Sequence, residues 1–174
     1  MPSQIHTRQT VRLTLRQPKK TDRDFTVNLF SRPELVTHRP HPVPDTPEVS
    51  KERLNRDIQH WRTYGFGRWA VEHDGRLIGF GGLTHKEGLE GLNISYHLHP
   101  DAWGQGYAQE IVADALAVAF GPLGVGRVIG LVRAANPASR RVLEKHGFTF
   151  EREVDLDGAP TQVLARGPEG RPPA

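Results

Sequence analysis

Three stretches of this 174-residue chain hold residue types able to bind an anion, seat a reactive arm or move a proton. Trp103-Gly104-Gln105-Gly106-Tyr107-Ala108 sets two glycines before a run in which Ile111, Val112, Ala115, Leu116, Ala119 and Phe120 recur at helical spacing. The first amides of a helix have no intrahelical acceptor. A turn without β-carbons leading into them is an anion site, where the helix dipole adds typically about 0.3 to 1 kcal/mol per charge. Gly-x-Gly alone is common, however, and equally makes a bare strand-to-helix turn. About thirty residues on, Asn136-Pro137-Ala138-Ser139 opens a second helix with an Asn cap and Pro in the first turn. The third stretch alternates Leu92, Ile94, Tyr96 and Leu98 with Asn93, Ser95, His97 and His99, giving a strand with one apolar face and one histidine-bearing face.

These residues need a scaffold, and the periodicities supply one. Residues 11–16 alternate as a half-buried strand, and Thr21 or Asp22 caps a short helix ending near Phe30. Five prolines between Pro33 and Pro47 make a loop, after which a helix covers about 47–62. Asp74-Gly75 and Asp157-Gly158 mark tight hairpins, the first joining strands at 69–72 and 77–80, the second joining 148–154 and 162–166. Helices are expected over 107–120 and 137–145, the latter closed by Gly147, with a strand at 128–132 covered on both faces between them.

Composition narrows the chemistry. With no cysteine there is no disulfide, thiolate ligand or cysteine nucleophile, so reactivity rests on oxygen, nitrogen or a bound cofactor. Nine histidines do not make a metal site, because His97 and His99 share a strand face with no third ligand at recognisable spacing. Twenty-three basic and 20 acidic residues are interspersed, for a net charge of +3, which does not mark a nucleic-acid binder and suits a small anionic ligand. Residues 1–12 lack a signal-peptide core, and no segment approaches the about 20 apolar residues that span a bilayer. The expectation is one cytoplasmic domain over 1–174 without membrane or nucleic-acid partners, its Pro- and Gly-rich end at 167–174 a frayed tail.

His99-Pro100-Asp101-Ala102-Trp103-Gly104-Gln105-Gly106-Tyr107-Ala108-Gln109-Glu110 resembles the acetyl-coenzyme A (acetyl-CoA) segment of the GNAT superfamily of N-acetyltransferases. Asn136-Pro137-Ala138-Ser139, with Glu144-Lys145-His146-Gly147-Phe148, resembles their second cofactor segment. Val11-Arg12-Leu13-Thr14-Leu15-Arg16 and Leu77-Ile78-Gly79-Phe80-Gly81-Gly82-Leu83 are similar to the Rim-type branch, named for ribosomal-protein N-terminal acetyltransferases. The resemblance implies an α/β (α+β) fold: a mixed, mostly antiparallel twisted sheet of about seven strands, with a splayed parallel central pair and helices on both faces. It implies acetyl-CoA as cosubstrate and no metal. The pyrophosphate would lie on Gln105, Gly106, Tyr107 and Ala108, with Gly104 a further cofactor-binding residue of the turn, the pantetheine would pair with Leu98 and His99 backbone, and Asn136 and Ser139 would approach the arm or thiol.

It further implies acetyl transfer to an amine, either a peptide N-terminus or a small molecule, by a monomer or homodimer. Many relatives carry a glutamate where this chain has Asn93 and a tyrosine where it has Leu143, so the usual base and acid are both missing. An amide takes no proton, leaving Asn93 to orient water or substrate. His97, on the same strand face and with an ordinary pKa near 6.5, is the candidate base, against the alternative of a plain strand histidine. Ser139 is the candidate thiolate donor or cofactor contact, against a local helix-start hydrogen bond. Glu87 and Glu90, in a Gly-containing loop, are candidates to border the acceptor site, against the favoured alternative of solvated loop carboxylates, and Trp61, Tyr64 and Phe66 are candidates to line it, against the favoured alternative of core packing. The competing function is an acyl-CoA-binding regulatory protein without catalysis.

Overall fold

Asp-Gly pairs reverse the chain where the sequence places them: Asp74 and Gly75 have φ of 48° and 76°, Asp157 and Gly158 of 54° and 79°, the left-handed pair of a type I′ hairpin. The computed structural model describes residues 3–170. A single turn, α1 (Ser3–His6), leads into β1 (Thr7–Gln9) and β2 (Leu13–Arg16), followed by a 3-10 turn (Lys20–Asp22), α2 (Arg23–Phe30) and α3 (Pro47–Tyr64). The hairpin β3 (Arg68–His73) and β4 (Arg76–His85) precedes β5 (Leu92–Leu98), α4 (Tyr107–Phe120), β6 (Val128–Val132), α5 (Pro137–Lys145), β7 (Thr149–Leu156) and β8 (Ala159–Arg166).

The strands form one eight-stranded sheet in the order β1-β2-β3-β4-β5-β6-β8-β7, in which only β5 and β6 are parallel. The strand beyond the expected seven is β1, whose three residues are too few to show an alternation. β5 and β6 pair over Leu92↔Val128, Asn93↔Ile129 and Ile94↔Gly130 and then part, which is the implied splay.

Both faces of the sheet are covered. α4 lays its stripe of Ile111, Val112, Ala115 and Ala119 on one face, together with Leu143 of α5, against Val71, Ile94 and Leu98. On the other face Leu29 and Phe30 of α2 and Leu54 of α3 pack on Ala70 and Phe80. Each buried aliphatic or aromatic side chain contributes about 1.5 to 3 kcal/mol. The histidine-bearing face of β5 therefore looks toward α2 and α3 rather than toward solvent.

Local signals resolve unevenly. Thr46 caps α3 by accepting from the Val49 amide at 3.3 Å, and Gly65 at φ 75° ends it two residues beyond the expected Arg62. Asp22 does not cap α2, because its carboxylate is held by two nitrogens of Arg16 (2.8 and 3.0 Å) and the Lys19 amide (2.8 Å). Of the expected tail, Pro168–Gly170 makes a 3-10 turn beside Gly147, while 171–174 lie outside the described residues. No described helix is long and apolar enough to cross a membrane.

Candidate active site

Where β6 leaves β5, the β5 backbone loses its partner on that side. His99 N–H donates to the Ile78 carbonyl of β4 at 2.8 Å. By the two-residue alternation of a strand, the amides and carbonyls of Tyr96 and Leu98 then face the opposite edge, into the gap. One of these four groups is engaged: the Trp103 indole donates to the Leu98 carbonyl at 2.8 Å. His99 does not fill its expected role. Its amide belongs to the β4 ladder, its carbonyl accepts from Ala102 N (2.8 Å), and its Nδ1 accepts from Asp101 N (3.2 Å) in the turn that follows. Tyr96 supplies the backbone groups assigned from sequence to His99.

The gap opens into a cavity of about 590 Å³, within the usual range of ligand pockets. It brings together His97, Leu98, Gly104, Gly106, Tyr107, Ala108, Asn136 and Ser139, but not Asn93, Gln105 or His99. Gln105 is exposed on the turn. Gly104 and Gly106 take φ of 73° and 81°, a region costly for side chains other than Asn and Asp, and a β-carbon at Gly104 would meet nothing within 4 Å. Gly106 precedes the first turn of α4 without any side-chain cap, so the helix amides there are left to a ligand. Glu110, in that same turn, would repel an anion. It is neutralised by Arg12, which also stacks 4.4 Å over the Tyr107 ring, while Thr10 donates to the same carboxylate at 2.7 Å. These features fit a pantetheine pyrophosphate.

Across the cavity, Asn136 caps α5 by accepting from Ser139 N at 3.3 Å, which spends its carbonyl oxygen and leaves its NH₂ as donor. Tyr96 reaches over from β5 and donates its hydroxyl to Ser139 Oγ at 3.3 Å. Burial pushes the phenol pKa up, and the bond to Ser139 only partly offsets this, so Tyr96 is a protonated donor at neutral pH. Sequence alternation had counted Tyr96 as apolar, because a phenol behaves so in a hydropathy pattern while carrying its hydroxyl at the tip.

On the opposite face of β5, His97 packs edge-on to Phe30 (5.1 Å between centroids), and its Nδ1 lies 2.8 Å from Arg68 Nη2. A guanidinium only donates, so Nδ1 accepts and the ring proton sits on Nε2. Burial first, then Arg68, Arg53, Arg39 and His38, holds the His97 pKa well below its ordinary value. The lone pair a general base needs is therefore engaged, and the expected base is not one in this arrangement. Asn93 lies four residues away along the strand with its Oδ1 buried and without a partner. Leu143, where the family resemblance implies a tyrosine, is packed into the space over Gly130. Trp61 and Phe66 are core residues, whereas Tyr64 stacks with His60 and His85 away from the cavity, and Glu87 and Glu90 do not line it.

Comparison with known proteins agrees with this geometry. Residues 12–149 match the family described as an acetyltransferase (GNAT) domain. The chain is 27% identical over 148 residues to the uncharacterised N-acetyltransferase YoaA of Bacillus subtilis, covering 82% of each chain. Among solved structures it is similar to the acetyltransferase from Agrobacterium tumefaciens (TM-score 0.81, 24% identity, 92% of this chain and 94% of that one). It is also similar in fold to RimL, a ribosomal L7/L12 α-N-protein acetyltransferase in complex with coenzyme A (TM-score 0.74, 18% identity, 93% and 97%). The family match spans well over half of the sequence, and the chain belongs to the GNAT acetyltransferase family, whose members use acetyl-CoA as acyl donor.

Proposed function

We propose that this chain is an N-acetyltransferase that joins acetyl-CoA and an amine in one ternary complex, the acetyl group crossing the gap between β5 and β6. The observation that carries this reading is the Tyr96–Ser139 hydroxyl pair at 3.3 Å, in the same cavity as the glycine turn.

Acetyl-CoA supplies a thioester whose transfer to an amine forms a C–N bond, breaks the C–S bond and leaves a thiolate in need of a proton. The Tyr96 and Leu98 amides lie along the gap as donors for the pantetheine arm. Ser139, accepting from Tyr96, turns its one hydrogen into the cavity, toward the place of the departing sulfur. Tyr96 acts through Ser139 and is a positioning residue. With His97 engaged by Arg68, the amine enters neutral, having lost its proton to water, and the proton that nitrogen sheds on becoming an amide passes through water to the sulfur, whose developing charge the Ser139 hydroxyl stabilises by hydrogen bonding until then. Holding amine and thioester in contact is worth on the order of 7 to 11 kcal/mol in well-oriented pairs, which reduces the demand for a dedicated base.

The test is thiol release by the unaltered protein with acetyl-CoA and a panel of amino acids, peptides and polyamines. Amine-dependent release of coenzyme A establishes the transferase. Binding of acetyl-CoA without release by any amine assigns the chain instead to acyl-CoA binding without catalysis, the reading favoured by Asn93 and Leu143.

A further inference from the structure

The same cavity is lined by Leu35, Thr37 and His38 of the segment after α2 as well as by His97. Behind this wall stands a group of arginines from four elements. Arg68, at the start of β3, is 7% exposed, donates to His97 and keeps its Nε buried without a partner among the described residues. Arg53 of α3 lies 4.3 Å over the Phe30 ring, with its Nε likewise unpartnered. Arg39 shares Asp45 with Arg53, each at 2.8 Å, and Arg133, just past β6, donates to Thr161 at 3.1 Å.

The carboxylates do not cancel this field at the wall. Asp45 is held between Arg39 and Arg53, Asp57 is pushed toward its neutral form by burial, Asp157 is solvent-exposed, and Glu34, the one carboxylate among the described residues lining the cavity, is exposed to solvent that screens it. The arginines that bear on His97 are Arg68, Arg53 and Arg39, and those on His38 are Arg39 and Arg133; every one of them opposes protonation, as would His38 on His97 were it charged. Two histidines thus face the cavity as neutral rings inside a cationic surround, and His97 offers an Nε2–H donor because Arg68 engages Nδ1.

Such a wall repels a polyamine and attracts an anion, and low dielectric strengthens both effects. We propose that the acceptor is a small amine that also carries a carboxylate, an amino acid or close analogue, with its carboxylate received at His97 Nε2–H and backed by Arg68. The proposal rests on the acetyltransferase reading for the amine, but the carboxylate preference is a binding property measurable without turnover. Charge on the acceptor is then read by residues from β3, β5 and the α2–α3 loop, separate from those around the cofactor turn.

The experiment is calorimetric titration of the coenzyme A-loaded protein with N-acetylglycine, N-acetylleucine and N-acetylphenylalanine, each against its α-amide, which also mimics a peptide N-terminus. At least a tenfold tighter binding of the acid in one or more pairs is expected, falling below threefold in Arg68→Gln. Because Arg68 is buried, His97→Phe serves as the second variant if Arg68→Gln does not fold, with the same loss of preference expected. Equal binding of acid and amide in all three pairs, tighter binding of an amide, no binding of any acid, or a preference untouched by the variants overturns the proposal. Failure of the transferase reading appears separately, as acetyl-CoA without affinity or without thiol release by any amine.

Discussion

Arg68 and His97, 29 positions apart in sequence, meet at 2.8 Å beneath α2 and α3, and the guanidinium fixes the imidazole as a neutral ring. Stability should follow pH accordingly. Burial and nearby cations lower the folded-state pKa of His97, and burial also lowers those of His38, His60 and His146, relative to about 6.5 in the unfolded chain. Below that value the unfolded state binds more protons, so stability rises with pH there. It is complete above about pH 6.5 and lost as pH falls toward the folded-state values, at up to about 1.4 kcal/mol per pH unit for the buried His97 and less for the other three, whose interactions solvent screens. Thermal melts from pH 8 to 5 should show Tm falling from about pH 6.5, and His97→Gln should make the fall shallower. A Tm flat to pH 5 would contradict the buried, neutral histidine.

Tyr96 and Ser139 should behave as a unit in catalysis. A hydrogen bond to a developing thiolate is worth about 1.5 to 3 kcal/mol, so Ser139→Ala should lower kcat roughly 10- to 100-fold. Tyr96→Phe, which keeps the ring and removes the hydroxyl, should lower kcat by a smaller factor with the acetyl-CoA Kd unchanged. The double variant should be no slower than Ser139→Ala, because Tyr96 acts through the serine. Additive losses would mean that Tyr96 contacts the reacting atoms itself.

The tyrosine that the family resemblance implies at position 143 should not be accommodated there. Leu143 fills the space above Gly130, whose ideal β-carbon would lie 2.4 Å from Leu143 Cδ1. Leu143→Tyr and Gly130→Ala should each destabilise the fold by about 1 to 3 kcal/mol through overpacking, read as a lower denaturant midpoint. A Leu143→Tyr protein of unchanged stability and raised kcat would show that the acid site is merely unused.

Much of this was legible in the chain, because local chemistry decides it. The Asp-Gly hairpins, the α4 stripe and the Asn136-Pro137 cap each depend on neighbours within a turn or two. Register is a different matter. Whether His99 or Tyr96 directs its backbone into the gap depends on which edge of β5 pairs with β4, and a two-residue pattern does not say. Arg68 and His97 meet only because β3 and β5 flank β4 in the sheet. Alternation found a polar face on β5 but not the helices above it, and a hydropathy reading of Tyr96 concealed its hydroxyl.

The most direct measurement concerns the glycine turn. Gly104 has open space around its β-carbon direction and a φ of 73°, which Asn and Asp tolerate better than other side chains, so Gly104→Asn and Gly104→Asp differ mainly in charge. Calorimetric titration with acetyl-CoA should show binding by the unaltered protein, most of that affinity in Gly104→Asn, and at least a tenfold further loss in Gly104→Asp, where a carboxylate faces the pyrophosphate. No binding by the unaltered protein, or equal binding by the two variants, would contradict a phosphate site at the start of α4.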